Sequence, residues 1–294
     1  MKRILVVGAT GFLGHKIVQS LMLEKGFEIR AMSRKGPPTD AIPKVEWVRG
    51  DMMDSASLDA ALQDVDVVIT SANGYMKETI EADYQGNKNL IEAVARAGID
   101  RFVFLSIVNC ESASDVPHFH AKKVAEDLIK AASIPYVFIR APAFLDQSTD
   151  HIADGVRAGR FLAIGDKTTR WSFVITDDLA LCIAKAAVYH EDTINNNSID
   201  IGWSDGAKNQ TELAKIISTV PGKQLSIWTV RWGVFQILAR PVKLFSALGS
   251  DLMKMFLFFK KGDFVSDITK QEKFFGPAPT STEAVTRWVK SNKL

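Results

Sequence analysis

Lys2-Arg3-Ile4-Leu5-Val6-Val7-Gly8-Ala9-Thr10-Gly11-Phe12-Leu13-Gly14 sets a glycine-spaced turn between a short apolar run and the start of an amphipathic helix. Ile4 to Val7 read as a buried parallel strand, and Ile17, Val18, Leu21 and Met22 recur at helical spacing downstream. Gly8 allows a tight turn out of the strand. Gly11 lets backbone N–H groups approach a pyrophosphate, and Gly14 lets the new helix pack closely on the sheet. The helix N-terminus adds a favourable dipole and donors for an anion. With a strand before it and a helix after it, the turn reads as a dinucleotide-binding entrance, the alternative being a purely structural turn. Its Gly-x-x-Gly-x-x-Gly spacing is one residue longer than Gly-x-Gly-x-x-Gly.

Outward from this turn, short β-branched runs alternate with amphipathic ones as far as about residue 140. That is the sequence form of a parallel sheet covered on both faces. Strands are expected at Arg3–Val7, Glu28–Ser33, Glu46–Arg49, Val65–Thr70, Phe102–Ile107 and Tyr136–Arg140, and helices at Gly14–Lys25, Ser55–Leu62, Ile80–Ala97 and His118–Ala132. Ser55 and Asp115 are the expected helix starts. After Pro142 the alternation becomes irregular, with strands expected at Phe173–Ile175 and Ser198–Ile201 and helices at Asp177–Val188, Lys208–Val220 and Thr282–Val289. The expected fold class is α/β: a Rossmann-type doubly wound parallel sheet over residues 1–140, with a smaller, interleaved C-terminal substrate or lid region over 141–294. Residues 173–202 are expected to pack back on the core.

A chain of 294 residues that is 47% hydrophobic and 24% charged can bury a sizeable core. Cys110 and Cys182 lack metal spacing and supply no disulfide framework, so a reducing compartment and no metal are expected. The first strand leaves no room for a signal peptide, and no apolar stretch approaches the roughly 18–20 residues of a membrane span. A cytoplasmic location is the expectation. Net charge is only +2, which argues against a nucleic-acid partner. The charge is uneven, however: Lys223 to Lys261 holds seven Lys or Arg against one acid, Asp251, a local net of +6.

An NAD-preferring site places a carboxylate at the end of the second strand, where it accepts from the ribose 2′-hydroxyl. Here that position reads Ser33-Arg34-Lys35. A guanidinium can grip a 2′-phosphate while stacking on adenine, so NADP(H) is the expected cofactor, against the alternative of solvated basic residues. Asp51 and Met52, after the third strand, are placed for the adenine.

Gly8–Gly14, Ser33-Arg34, Gly50-Asp51-Met52, Ile134-Pro135-Tyr136 and Arg140-Ala-Pro-Ala-Phe144 together resemble the NmrA-like group of atypical short-chain dehydrogenase/reductases, over residues 1–200. Within it the chain is most similar to the branch that contains photosystem assembly factors. The resemblance implies a cofactor site made by Gly8, Thr10, Gly11, Phe12, Leu13, Gly14, Ser33, Arg34, Lys35, Asp51, Met52, Ser71, Ala72, Lys122, Pro142 and Phe144. Catalytic relatives carry Tyr-x-x-x-Lys on the helix after the fifth strand. This chain has Lys122 at the lysine position and His118 at the tyrosine position. Tyr84-Gln85-Gly86-Asn87-Lys88 has the right spacing but precedes the fifth strand, on the wrong helix.

His118 and Lys122 share a helix face at i,i+4. Lys122 would bond the nicotinamide ribose, or else pair with Glu126. His118, as imidazolium, could donate a proton to a carbonyl receiving hydride, or else be a half-buried residue at a helix start. Ser106, with Asn109 after it, stands where relatives place an active-site hydroxyl, or else caps its own strand end. Relatives of the isoflavone-reductase type also lack the tyrosine and use the lysine, so its loss does not exclude reduction.

Trp228, Trp232, Phe235, Leu238, Phe245, Leu248, Leu252, Met253, Met255, Phe256, Leu257, Phe258 and Phe259 exceed what one helix face needs, and Pro241 prevents a single continuous helix. This basic, aromatic segment, 228–261, reads as a lid, a protein interface or a peripheral membrane contact. Two functions follow. One is a reductase acting on a bulky apolar carbonyl or conjugated small molecule. The other is a non-catalytic regulator or assembly factor that kept the cofactor site and engages a partner protein or membrane.

Overall fold

The computed structural model describes residues 1–72, 79–147, 151–164, 168–219, 225–230, 233–234, 247–262 and 264–294. Two compact units emerge: residues 1–140 with 179–199, and residues 141–178 with 200–294.

The first unit is built on β1 (Lys2–Val7), β2 (Phe27–Ser33), β3 (Glu46–Arg49), β4 (Val67–Thr70), β5 (Arg101–Ile107) and β6 (Tyr136–Ala141). A returning strand, Asn197–Asp200, completes a seven-stranded sheet in the order Asn197–Asp200, β6, β5, β4, β1, β2, β3. β1 pairs in parallel with β2 and β4, as do β2 with β3 and β4 with β5. Strand order reverses between β1 and β4, and ligands bind such sheets beyond the carboxyl ends at that reversal.

Helices α1 (Phe12–Leu21), α2 (Ser55–Ala61), α3 (Asn87–Ala97) and α4 (Pro117–Ala131) fill the crossovers. Leu5, Val7, Val68, Phe102 and Phe104 pack on one sheet face against Leu90 and Val94 of α3 and Ala125 and Ile129 of α4. Each such side chain contributes about 1.5–3 kcal/mol by leaving water. Of the two expected helix starts, Ser55 is the first residue of α2, and Asp115 is corrected. Asp54, not Ser55, caps α2 by accepting from Ala56 N and Ser57 N, because its carboxylate precedes the first helical residue and can reach those donors. Asp115 is passed over, since Pro117 occupies the first turn of α4 behind Val116 and its fixed φ suits that position.

The returning segment is fastened by Arg101. Buried at the start of β5, its guanidinium donates to Ala186 O at 3.1 Å, Tyr189 O at 2.7 Å and Glu191 O at 3.2 Å, and its Nε to Asn195 Oδ1 at 2.6 Å. These are the carbonyls left open at the end of the helix Thr176–Val188 and just beyond it.

In the second unit Ala143–Phe144 pairs with Phe173–Val174, and Arg160–Ile164 pairs with Ser226–Val230, both in parallel. Among the described residues its helices include His151–Arg157, Gln210–Thr219, Ala247–Lys260, Thr269–Phe275 and Ser281–Ser291. Part of the aromatic excess is this unit's own core: Met253, Phe258 and Phe259 are buried, and Phe259 lies 4.9 Å from the Trp171 ring and 4.6 Å from Phe264. Trp232, Phe235, Leu238, Pro241 and Phe245 lie outside the described residues, as does the side chain of Leu248. No helix among the described residues is long and apolar enough to cross a membrane.

Candidate functional site

The glycine turn leaves β1 at the strand-order reversal. Gly8 has φ +85°, and a Cβ there would lie 2.8 Å from Ala72 N. Only glycine fits that close approach. Gly14 seats α1 on the turn, since a Cβ would stand 2.0 Å from Gly8 O. Gly11 differs: its φ is −74°, and a Cβ would meet only Gly8 O, at 3.2 Å. Thr10, Gly11 and Phe12 are exposed, whereas Leu13 is buried. Gly11 caps α1 with no side-chain acceptor, and the first turn holds no acid. The helix dipole there is open to an anion. Ser71 N donates to Val7 O at 3.1 Å, which holds Ser71 and Ala72 beside the turn.

At the end of β2 the Ser33 hydroxyl is engaged locally, donating to Gly36 O at 2.7 Å and accepting from Lys35 N at 3.2 Å. These two bonds shape the loop that carries Arg34 and Lys35. Arg34 and Lys35 are exposed and make no ion pair among the described residues. After β3, Asp51 Oδ1 accepts from Met53 N at 3.0 Å, and Met52 O accepts from Asn89 Nδ2 at 2.9 Å.

On α4, Lys122 is 5% exposed, with Nζ 5.1 Å from the centre of the Phe104 ring. Among the described residues it makes no hydrogen bond and no ion pair. Burial pulls its pKa down, and the Asp83 carboxylate opposes this. Pairing with Glu126, the alternative role for the lysine, does not occur. Glu126, fully buried, is gripped instead by Arg140, whose Nε lies 2.9 Å from Oε1 and Nη2 2.7 Å from Oε2. A planar fork matches a carboxylate better than a lysine on the same helix can.

His118 is corrected in its protonation. Burial, and then the charge of Lys122, push its pKa down to about 4, so near neutral pH it is an uncharged imidazole. It can still donate one N–H, but it is no imidazolium acid. Ser106 is fully buried, with Oγ 3.8 Å from Cys110 Sγ, and Cys110 Sγ is 3.8 Å from Glu126 Oε1. Burial raises the Cys110 thiol to about 12, so it stays protonated. Asn109, at φ +52°, turns the chain between them.

Tyr84 packs against the other side of α4: its ring is 6.3 Å from that of His120, and its hydroxyl 3.5 Å from Pro117 O. His120 is about 200° round the helix from His118. Pro142 and Phe144 belong to the second unit, just past β6. Among the described residues no group of His, Cys, Asp and Glu is arranged to hold a metal ion. Sequence reading missed Asp83, whose carboxylate opposes the fall in the Lys122 pKa, and the Glu126–Arg140 fork. Only the acid in Ala82-Asp83-Tyr84, inside an otherwise amphipathic run, signalled the first of these.

The model of the NmrA-like family matches residues 1–275. A photosystem II assembly factor of Cyanophora paradoxa, Ycf39, is 26% identical over 95% of this chain and 88% of its own. The NADPH-dependent quinone oxidoreductase QOR2 of Escherichia coli, complexed with NADPH, superposes with a TM-score of 0.77 at 22% identity, covering 97% of this chain and 99% of that one. The Citrobacter sp. triphenylmethane reductase complexed with NADP(H) does so at 0.75 and 21% identity, covering 98% and 99%.

Proposed function

The chain belongs to the NmrA-like family, and we propose that it binds NADP(H) at the β1–α1 turn and reduces a bulky, mostly apolar carbonyl or conjugated substrate by hydride transfer. Lys122 carries this reading. An ammonium that is 5% exposed, with its donors uncommitted among the described residues, calls for an acceptor from outside the chain. The ribose hydroxyls of a nicotinamide nucleotide fit that demand. Arg34 and Lys35 suit the 2′-phosphate, the open end of α1 suits the pyrophosphate, and solved relatives described as NADPH complexes support the choice. His118 is assigned as a neutral N–H donor to a substrate oxygen, and Ser106 as a residue that shapes the loop beneath it. Pro142 and Phe144 complete the proposed cofactor set, and a cytoplasmic location goes with it.

One observation favours the second function, a regulator or assembly factor. Trp228 is 65% exposed and Leu162 58% exposed, and they are partners in register on the Arg160–Ile164/Ser226–Val230 ribbon. Large apolar side chains left in water mark contact surfaces, and the Cyanophora relative is an assembly factor.

Titration with NADPH and NADH tests the cofactor. A preference of at least tenfold for NADPH is expected, about 1.4 kcal/mol, and Arg34→Ala should erase it; equal affinities in the wild type would reject NADP(H). A panel of quinones and enones then separates the two functions. NADPH oxidation supports the reductase. Its absence, together with partner or vesicle recruitment lost in Trp228→Ser/Leu162→Ser, selects the regulator.

A further inference from the structure

Thr70 and Asn87 have no part in the reading above, and each is a buried polar side chain with an atom that finds no partner. Both belong to the layer that holds Lys122. On the sheet, Val68 and Phe102 lie in the core, and two residues further toward the carboxyl ends, on the same face, come Thr70 and Phe104. Thr70 is the partner in register of Phe104 on one side and of Val7 on the other. It therefore faces the helices between two members of the core.

The helices carry the same layer. Asn87 opens α3 directly after a π-helical turn, Thr79–Gly86, and shares its stripe with Leu90 and Val94. Lys122 shares a stripe of α4 with Ala125 and Ile129 at the same spacing. Those four apolar residues lie in one core with Phe102 and Phe104, so Asn87 and Lys122 top it, one turn nearer the helix starts. Lys122 Nζ lies 5.1 Å from the centre of the Phe104 ring, on the strand beside Thr70.

The free atoms define what can join them. Asn87 Nδ2 donates to Asp83 O at 3.0 Å, and only the amide nitrogen can serve a carbonyl, so the end left over is Oδ1, an acceptor. Lys122 offers N–H groups alone, and Thr70 Oγ1 can give or take. A bridging group must donate to Asn87 and accept from Lys122. An anion has no proton to give and a cation no lone pair, whereas a neutral hydroxylic molecule has both. Asn87, Thr70 and Lys122 are 1%, 2% and 5% exposed, so the bridge is enclosed with them, as a single water can be.

We propose that Thr70, Asn87 and Lys122 hold one buried water, which fixes the direction of the ammonium and leaves its other N–H groups for a ligand. Thr70 and Asn87 are thus positioning residues. The consequence for NADP(H) rests on the reading of Lys122 as a ligand of the nicotinamide ribose; the water does not.

Crystals of the cofactor-free protein, at a resolution that shows ordered water, should hold one within about 3.2 Å of Lys122 Nζ, Asn87 Oδ1 and Thr70 Oγ1. The NADPH complex should keep it. No water there, or a ribose hydroxyl in its place, overturns the proposal. Two variants test the positioning: Thr70→Val removes the hydroxyl at nearly constant shape, and Thr70→Ser keeps it but loses a methyl. NADPH affinity should fall about tenfold in Thr70→Val and stay within about twofold of wild type in Thr70→Ser. Affinity for 2′,5′-ADP, which lacks the nicotinamide ribose, should not change in either. A side chain that only fills space would give the reverse order, with serine the worse variant, and that order would overturn the positioning role. If Lys122→Met binds NADPH like wild type, the ribose reading fails, and the water seen in the crystal still stands.

Discussion

The glycine turn and the buried Glu126–Arg140 fork both belong to the first unit, and they are made by opposite means. At the turn, three glycines within seven residues set the backbone, and what matters is the absence of side chains. On α4, fully buried Glu126 answers to Arg140, fourteen positions later. Backbone geometry is written locally. Charge state is assembled from distant parts of the chain.

The sharpest contrast should come from within the turn itself. Gly14→Val drives a side chain into a carbonyl 2.0 Å away and should destabilise the protein by about 4 kcal/mol or more. Gly11→Val meets only Gly8 O at 3.2 Å and has negative φ. It should cost about 1 kcal/mol yet abolish dinucleotide binding. Denaturant unfolding beside NADPH titration separates the two, and equal destabilisation would break the distinction between a packing glycine and an approach glycine.

At the fork, Arg140→Met leaves fully buried Glu126 without its partner and should cost about 3 kcal/mol. Adding Glu126→Leu should recover much of that loss, since two apolar groups replace a pair. A single variant that unfolds at the wild-type denaturant midpoint would show that the fork is not structural.

The smallest expected effect is one of pH. His118 has a folded pKa of about 4 against an ordinary 6.5. Below 6.5 the unfolded chain takes up a proton that the folded one refuses, so stability is complete above that pH and falls as pH drops toward 4. His118→Phe should flatten this acid-side decline in unfolding free energies measured at about pH 7 and about pH 5. An unchanged decline would remove His118 as its source.

Much of the sheet was legible. The six expected strands of the first 140 residues form within two residues of their expected ends, because continuous β-branched runs between amphipathic stretches have few other homes. The π-helical turn was read as the start of one helix, Ile80–Ala97, since its extra residue per turn leaves no periodic trace in so short a run. Also unforeseen were the short ribbon Arg160–Ile164/Ser226–Val230 and the helices His151–Arg157 and Thr269–Phe275, each too brief to show a period. In the candidate site, the strand-to-helix setting of the three glycines was legible from their position. The i,i+4 pair of Lys122 with Glu126, the alternative reading of the lysine, does not form because the fold supplies Glu126 with a better-shaped cation in Arg140.

Arg101 has a consequence for the order in which the protein can be made. Its guanidinium, placed at the start of β5, finds its acceptors only at residues 186 to 195, and β6 gains its outer neighbour only at Asn197–Asp200. During synthesis the nascent sheet must therefore wait, with an unanswered cation at its rim, until nearly two hundred residues have left the ribosome. A cut after residue 140 would freeze that immature state, leaving an open sheet edge for chaperones or other nascent chains to find.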